Sequence, residues 1–237
     1  MAKFSQAIED YLKQVYMLEE RGEEPTGKAL AERLDVSPAS VTQMLKRLAG
    51  LDLIEYEPYQ PIRLTLAGRA IALEVVRHHR LLEAYLADVL GMEWHEVHAE
   101  AEVLEHHISE RMEALIAERL GHPSFDPHGH PIPSLDGTLP TRRDGTTLLD
   151  AQPDTTVEVG TVHDDRPDVL VYLGERGIVP GAHVHLVERS EVAGTVTVRV
   201  DDEHHVLGSD LARAMDVHPA GDAGAGRRAA RRAGGGR

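Results

Sequence analysis

The pattern of hydrophobic and polar positions divides the first part of the chain into three helices followed by a β hairpin. Helical periodicity before the break at Arg21-Gly22 gives one apolar face, made of Ile8, Tyr11, Leu12, Val15 and Leu18. Two further helices are expected to begin at the N-cap residues Thr26 and Ser37. Pro38 suits the first helical position, where its missing N–H is not needed. The segment "LIEYEPYQPIRLT" predicts two short strands and a turn.

The following residues predict long helices and then a change to β structure. One helical pattern runs from Leu66 to Leu90, and a second runs from about Glu93 to Leu120. Residues 122–153 contain 6 prolines and are read as irregular. From Thr155 onward, four alternating or β-branched segments predict strands of a small barrel. These patterns give a mainly α protein with a small β domain, divided into 1–73, 74–140, a linker at 141–154, 155–218, and a low-complexity tail at 219–237 expected to be disordered.

The third helix has the features of a DNA-reading helix. Its apolar residues fall on one side, and the opposite side contains no acid. An amide can pair with adenine, small groups can contact thymine methyls, and cations can bind phosphates. A helix pair followed by a two-stranded wing favours a winged helix-turn-helix over an ordinary solvated helix face. The candidate DNA-binding residues are Lys28, Ser37, Ala39, Ser40, Thr42, Gln43, Lys46, Arg47 and Arg63.

Charge and composition change this picture in one region. The chain has a net charge of −15 and no cysteine, which excludes disulfides and thiolate metal sites. Residues 74–140 carry 4 basic and 13 acidic side chains together with 9 of the 15 histidines. Acid and imidazole concentrated in one segment favour cation binding. The sequence shows no signal peptide and no apolar stretch long enough for a bilayer, so we expect a cytoplasmic protein without a membrane partner.

The segment "HAEAEVLEHH" at residues 98–107 suggests a metal site. His98 and Glu102 are four residues apart, as are Glu102 and His106, and Glu105 lies beside them. The preceding helix contributes His79 and Glu83 at the same spacing, and side chains four apart meet on one helix face. Imidazole and carboxylate without sulfur suit Mn²⁺, Fe²⁺, Co²⁺ or Zn²⁺. The alternative is a charged, solvated helix. Three further histidines, His78, His95 and His107, are read as surface or supporting residues, and the "HGH" at 128–130 as a turn or a ligand pair.

At this point the sequence resembles the metal-dependent repressors of the diphtheria toxin repressor type. The segments "IEDYLKQVYMLEE", "GKALAERLDVSPASVTQMLKRL", "WHEVHAEAEVLEHHISE" and "PHGHPIP" carry the resemblance over about residues 1–140, and "GIVPGAHVHL" extends it more loosely over 155–217. It implies a homodimer that binds operator DNA. Each chain would have a winged helix-turn-helix domain, a helical metal-binding and dimerisation domain, and an SH3-like domain.

The resemblance also implies two metal sites per chain. The primary site would use Asp10, Glu102, Glu105 and His106, and the ancillary site would use His79, Glu83 and His98. The family's usual Glu and Gln ligands in the C-terminal domain align with Arg166 and Val169, so the neighbouring Asp165 or Asp168 would substitute for them.

The carboxylates at Asp10 and Glu102 bear on the choice of metal. Iron-type members have sulfur ligands at these two positions, and harder ligands favour Mn(II), as in the manganese-responsive branch. The expected function is a Mn(II)-dependent repressor of metal-homeostasis genes. The alternatives are an Fe(II)-responsive regulator of the same family, a winged-helix regulator that answers an organic ligand, and a metal hydrolase. No HExxH or GxSxG motif supports the hydrolase.

Overall fold

The computed structural model describes residues 4–58, 60–141 and 143–220. The predicted disorder of the tail therefore falls, apart from residues 219 and 220, outside the described residues. The chain divides into two compact units, one drawn from Met1–Arg142 and Asp165–Val171 and the other from Arg143–Asp164 and Tyr172–Arg237. None of the described helices combines the length and the apolar character that a membrane span requires.

The first unit begins with the predicted three helices and wing. Helix α1 spans Gln6–Glu20, α2 spans Gly27–Arg33 and α3 spans Pro38–Gly50. Strands β1 (Ile54–Glu55) and β2 (Arg63–Leu64) pair antiparallel as the wing. A single apolar core joins these elements. It includes the α1 face predicted from periodicity and the inner residues of α2 and α3, namely Ile8, Tyr11, Leu12, Val15, Leu18, Leu30, Val41, Leu45 and Leu48.

Thr26 and Ser37 cap the second and third helices at their N-termini, as predicted. The Thr26 hydroxyl accepts a hydrogen bond from the Ala29 N–H at 3.2 Å, and the Ser37 hydroxyl accepts one from the Ser40 N–H at 3.2 Å. Each bond satisfies a backbone donor that the first helical turn would leave without a partner. The Ser37 cap fixes where α3 begins, and the burial of Val41, Leu45 and Leu48 determines which face of α3 points outward.

The helical part of the first unit differs from the prediction in one respect. Helix α4 spans Leu66–Asp88, close to the predicted range. The prediction of a second long helix from about Glu93 to Leu120 is wrong, because the chain forms α5 (Val97–Leu104) and α6 (Glu110–Arg119) with a break between them. Ser109 caps α6 by accepting the Met112 N–H at 3.2 Å. This capping bond starts a new helix after an interval of five residues, so the two helices need not share one axis.

The second unit contains one antiparallel sheet of six strands in the order β3-β8-β4-β5-β6-β7. The four predicted strands are β4 (Thr155–Val162), β5 (His183–Ser190), β6 (Thr195–Val200) and β7 (Glu203–Gly208), and the prediction missed β3 (Thr146–Thr147) and β8 (Met215–Pro219). Helix α7 spans Pro167–Glu175, of which the residues up to Val171 belong to the first unit, and α8 spans Ser209–Arg213. The predicted linker at 141–154 therefore needs correction, because Thr146 and Thr147 pair with β8 and add a strand to the sheet.

Candidate metal centre

The first group of candidate ligands joins α1 to the end of α5. His106 Nε2 lies 2.7 Å from Asp10 Oδ1 and 3.2 Å from Glu105 Oε1. Its other nitrogen, Nδ1, lies 2.7 Å from Glu9 Oε2. Metal-ligating histidines commonly donate their second ring N–H to a carboxylate, which fixes the tautomer and the ring orientation. Glu9 is placed to do this for His106, a role that the sequence did not indicate.

The charges around His106 favour its protonated form. Burial works to lower its pKa, but Asp10, Glu105 and Glu9 outweigh burial and raise the pKa to about 10. Burial likewise works to raise the pKa of Glu105, and its contacts with His106 and His79 instead lower it. Glu105 is therefore ionised before any metal binds and offers a charged ligand oxygen. A metal ion must displace a proton to bind here, because imidazole ligates through its neutral form.

A buried lysine accompanies this group. Lys13 is 1% exposed, and its Nζ lies 2.6 Å from Glu102 Oε1 and 2.8 and 2.7 Å from the two oxygens of Glu105. Burial works to lower its pKa, but Glu105 and Glu102 outweigh burial and raise it. Glu102 thus lies with Lys13, and not within the group that Asp10, Glu105 and His106 form. Its ligation of the primary ion stays a prediction.

The second group joins α4 to α5 and has the spacing of metal ligands. His79 Nε2 lies 3.0 Å from Glu83 Oε1 and 3.1 Å from His98 Nδ1, and His98 Nδ1 lies 3.1 Å from Glu83 Oε1. Ligand atoms about 2.1 Å from an ion and at right angles lie about 3.0 Å apart. These three atoms therefore match one triangular face of an octahedral site, and the donor set fits a divalent ion.

The surroundings of this second group are buried and charged. Burial works to lower the pKa of His79, as does Lys13, yet Glu83 and Glu105 raise it to about 9. His79 Nδ1 also hydrogen-bonds Glu105. One imidazole therefore touches both groups, with Nε2 on the Glu83 side and Nδ1 on the Glu105 side.

The two tentative aspartate ligands differ in their surroundings. Asp165 Oδ2 lies 4.0 Å from His98 Nε2, and the segment Asp165–Val171 clusters with the first unit. Asp168 is exposed in the first turn of α7. Of this pair, the structure brings Asp165 to the second group.

Other histidines of the region have structural contacts. His78 is buried, not on the surface, with its Nδ1 3.2 Å from the Glu105 carbonyl oxygen and its Nε2 3.3 Å from Glu113. In the "HGH" segment, one oxygen of Asp126 accepts the backbone N–H groups of His128 and His130 at 2.8 and 2.9 Å. These bonds support a turn at 126–130, as one of the two readings of that segment anticipated.

An arginine that the sequence did not single out fixes the far end of α1. Arg80 is buried, and its Nη2 donates to Glu20 Oε2 at 2.5 Å. Its Nη1 donates to the Pro131 carbonyl at 2.6 Å. Burial works to lower the pKa of Arg80, and Glu20 outweighs it and raises the pKa. The guanidinium thereby joins α4 to the last residue of α1 and to the segment after α6.

The outer face of α3 is exposed as predicted for a DNA-reading helix. Gln43, Lys46 and Arg47 are exposed while the core side of the helix is buried. Some of the smaller candidates have local partners as well, because the Thr42 hydroxyl donates to the Pro38 carbonyl at 2.9 Å and Ser37 contacts Ser40. The remaining candidates on this surface are also exposed: Lys28 on α2, Ala39 and Ser40 on α3, and Arg63 on β2.

Comparison with known proteins accounts for this combination of domains. Residues 3–62 match the model of the iron dependent repressor N-terminal DNA binding domain, and residues 65–134 match that of the iron dependent repressor metal binding and dimerisation domain. Residues 146–219 match the FeoA domain. The iron-dependent repressor IdeR of Mycobacterium tuberculosis is 35% identical over 228 residues, which cover 92% of this chain and 99% of that protein. The chain belongs to the iron-dependent repressor family.

Other similar proteins have descriptions that name manganese or no metal at all. The diphtheria toxin repressor of Corynebacterium diphtheriae is 31% identical over 218 residues, covering 88% of this chain and 95% of that protein. A solved structure described as a manganese-dependent transcriptional repressor in complex with manganese is 37% identical, with a TM-score of 0.84 and coverage of 90% of this chain and 100% of that one. The manganese regulator SloR is 32% identical, with a TM-score of 0.76 and coverage of 90% and 98%.

Membership of the iron-dependent repressor family confirms several predictions. The fold class is confirmed: a winged helix-turn-helix, a helical dimerisation domain and an SH3-like β domain. The functional class, a metal-dependent DNA-binding transcriptional repressor, is confirmed as well. The relatives are repressors and not enzymes, so the hydrolase alternative is set aside.

Proposed function

We propose that this family member is a Mn(II)-dependent repressor that binds operator DNA as a homodimer in the cytoplasm and holds two metal ions per chain. The observation that carries the proposal is the group formed by Asp10, Glu105 and His106, which connects α1 of the DNA-binding domain to the end of α5. The ancillary ion would be held by His79, Glu83 and His98, with Asp165 as a further candidate.

The donor atoms support manganese among the divalent ions. The first group offers carboxylate oxygens from Asp10 and Glu105 with one imidazole, and the chain has no cysteine. Oxygen-rich sets suit Mn(II), whereas sulfur ligands select softer ions. Relatives are described both as iron-dependent and as manganese-dependent, so Fe(II) is the alternative that the test must separate. When bound, a divalent ion supplies the positive charge that lets Asp10 and Glu105 share one centre.

The position of Asp10 supports control of DNA binding by metal. Asp10 lies in the first turns of α1, and the inner face of α1 packs in the same core as α2 and α3. Any change in how tightly Asp10 is held toward His106 therefore bears on the orientation of α3. Two recognition helices of a symmetric dimer fit successive major grooves only at a separation of about 34–36 Å.

Exposed apolar residues on α5 and α6 support the homodimer. Val103 is 66% exposed, Met112 44% and Leu115 47%. Apolar side chains grouped at the surface of one domain mark an interaction site when they form a contiguous patch. The family model that covers these residues describes a dimerisation domain.

The proposal is tested by DNA binding across a series of divalent ions. A duplex selected from random sequences in the presence of Mn(II) is labelled, and its fluorescence anisotropy is measured with chelator-treated protein and added Mn(II), Fe(II), Co(II) or Zn(II). We expect tight binding with Mn(II), and weak binding with Mn(II) for Asp10→Ala. Glu100→Gln, an exposed change on α5, serves as the control and retains the response. Binding that does not change with any metal would overturn the proposal, and a response confined to Fe(II) would replace manganese by iron.

The Glu102 position tests the argument from ligand hardness. We propose from the family resemblance that Glu102 also ligates the primary ion. Glu102→Cys then places a thiolate on that ion, so we expect the preferred ion to shift from Mn(II) toward softer ions such as Zn(II). The order of half-maximal metal concentrations in the anisotropy assay measures the shift. An unchanged order would remove the hardness argument and leave the metal-dependence of DNA binding untouched.

A further inference from the structure

Lys13 occupies a group of side chains that has the composition of a metal site. His79, Glu102 and Glu105 bring one ligand atom each to within 4.8 Å of one another. The Nζ of Lys13 contacts all three residues, at 3.3 Å from His79 Nδ1, 2.6 Å from Glu102 Oε1 and 2.7 Å from Glu105 Oε2. The ammonium therefore lies among the same atoms that an ion at this position would use.

The charges explain why a cation is needed here. Glu105 is 1% exposed, and its carboxylate also forms a hydrogen bond with His79 Nδ1 and lies beside His106. A buried carboxylate is costly unless a cation or hydrogen-bond donors compensate it. Lys13 provides both, since an ammonium carries one positive charge and three donors. Because its charge is fixed to α1, no ion from solution is required to compensate Glu102 and Glu105.

The position of Lys13 on α1 relates it directly to the primary group. Lys13 follows Asp10 by three residues, and residues at this spacing are neighbours on one helix face. Both side chains border a cavity of about 320 Å³ that also exposes Glu102 and His98. An ion that enters by this cavity meets Asp10 and Lys13 together.

We propose that the ammonium of Lys13 is a permanent cation of this metal centre, which takes the place of a second ion among His79, Glu102 and Glu105. This inference rests on the proposed function, because it concerns the primary site of that proposal. The ion held by Asp10, Glu105 and His106 then binds singly, beside a fixed positive charge that lowers its affinity. Lys13 is thus a residue that sets metal stoichiometry and metal affinity without being a ligand.

The direct test is anomalous X-ray scattering from crystals of the wild-type protein grown with Mn(II). We expect a peak bonded to Asp10, Glu105 and His106, and none within bonding distance of His79 Nδ1. A peak among His79, Glu102 and Glu105 with the Lys13 side chain displaced would overturn the inference. This measurement needs no variant, so it stands even if a change at this buried residue prevents folding.

Two variants extend the test to solution, with bound Mn(II) counted by native mass spectrometry and affinity measured by calorimetry. Lys13→Glu adds a carboxylate and removes the cation, so it should bind one more Mn(II) per chain than the wild type. Lys13→Gln removes the cation without adding a ligand, so it should bind the primary ion at least about tenfold more tightly, as expected when a unit charge a few ångströms away is removed. Arg119→Gln, at an exposed arginine of α6, is the control and should change neither quantity.

The outcomes separate this inference from the proposed function. If the wild type binds Mn(II) and both Lys13 variants match it in count and affinity, the role of Lys13 is overturned and the proposed function stands. If the wild type binds no Mn(II) but Lys13→Gln does, Lys13 is supported as a competing cation and the manganese assignment fails. If none of the proteins binds Mn(II), both are overturned.

Discussion

Gly68 lies where α4 begins against the segment that joins α3 to the wing, and it leaves no room for a side chain. A Cβ added to Gly68 would lie 1.9 Å from the Leu53 carbonyl oxygen and 2.9 Å from its carbon. The same oxygen accepts the Thr65 N–H at 3.1 Å. Leu53 is itself 3% exposed in the core. Gly68→Ala therefore requires the backbone at Leu53 to move by more than 1 Å and to break this hydrogen bond.

The expected loss of stability follows from these contacts. Overpacking in a well-packed site costs about 1–3 kcal/mol, and a lost hydrogen bond costs about 1 kcal/mol. Replacing glycine by alanine in a helix stabilises the folded state by about 0.5–1 kcal/mol, which offsets part of this loss. We expect a net loss of about 2 kcal/mol in the free energy of unfolding. With a urea dependence of about 2 kcal/mol per molar, the unfolding midpoint should fall by about 1 M.

The single tryptophan makes the assay specific to the first unit. Trp94 is the only tryptophan of the chain, and it belongs to the unit that contains Gly68. Its fluorescence in urea therefore follows that unit alone. Gly50→Ala is the matched control, because Gly50 is an exposed helical glycine with no atom within 4 Å of the added Cβ, and this change should stabilise by about 0.5 kcal/mol. A midpoint for Gly68→Ala at or above that of the wild type would refute the reasoning.

Two further predictions concern charge and DNA binding. Burial works to raise the pKa of Glu113, but His78 and Arg77 outweigh burial and lower it. The ionised carboxylate therefore stabilises the fold at pH values above its unfolded pKa, and this stabilisation is lost as the pH falls through the lower pKa of the folded state. In thermal unfolding, Glu113→Gln should lower the free energy of unfolding by about 2 kcal/mol at pH 7 and by progressively less below about pH 4. The exposed control Glu118→Gln should change it little. A loss of stability that did not vary with pH would contradict this prediction. Lys46→Ala should weaken DNA binding about equally for all sequences, and it should reduce the slope of log affinity against log salt concentration by about 1 for each lost phosphate contact. Gln43→Ala should instead relax the sequence preference at one base position. Anisotropy measured against salt concentration and DNA sequence tests both, and the reverse pattern would exchange their roles.

Local patterns in the sequence were sufficient for the elements of the first domain. The face that contains Leu12 and Val15 and the caps at Thr26 and Ser37 depend on spacing within one or two turns, and these predictions agree with the structure. The break between α5 and α6 was missed because the whole segment is rich in Ala, Leu and Glu. The cap at Ser109 was the available signal for that break.

The metal centre was predictable only in its ligand types. His79, Glu105 and His106 were singled out by their spacing and by the family resemblance, yet Lys13 reads as an ordinary helical lysine in the sequence. Its burial depends on Glu102 and Glu105, about ninety residues later in the chain. A contact between residues so far apart in the chain leaves no periodic pattern in the sequence. Arg80 was missed for the same reason, because its partners Glu20 and Pro131 lie more than fifty residues away.

The ion pair between Arg80 and Glu20 determines how α1 can move. A helix held at its last residue can tilt about that end, and displacement grows with distance from it. Asp10 lies ten residues before Glu20, or about 15 Å along the axis, so a tilt of only about 4° displaces Asp10 by about 1 Å. Because the core residues of α1 pack with those of α2 and α3, the same tilt also rotates α3. In the proposed function, a displacement of about 1 Å at Asp10 would thus change the angle of the DNA-reading helix.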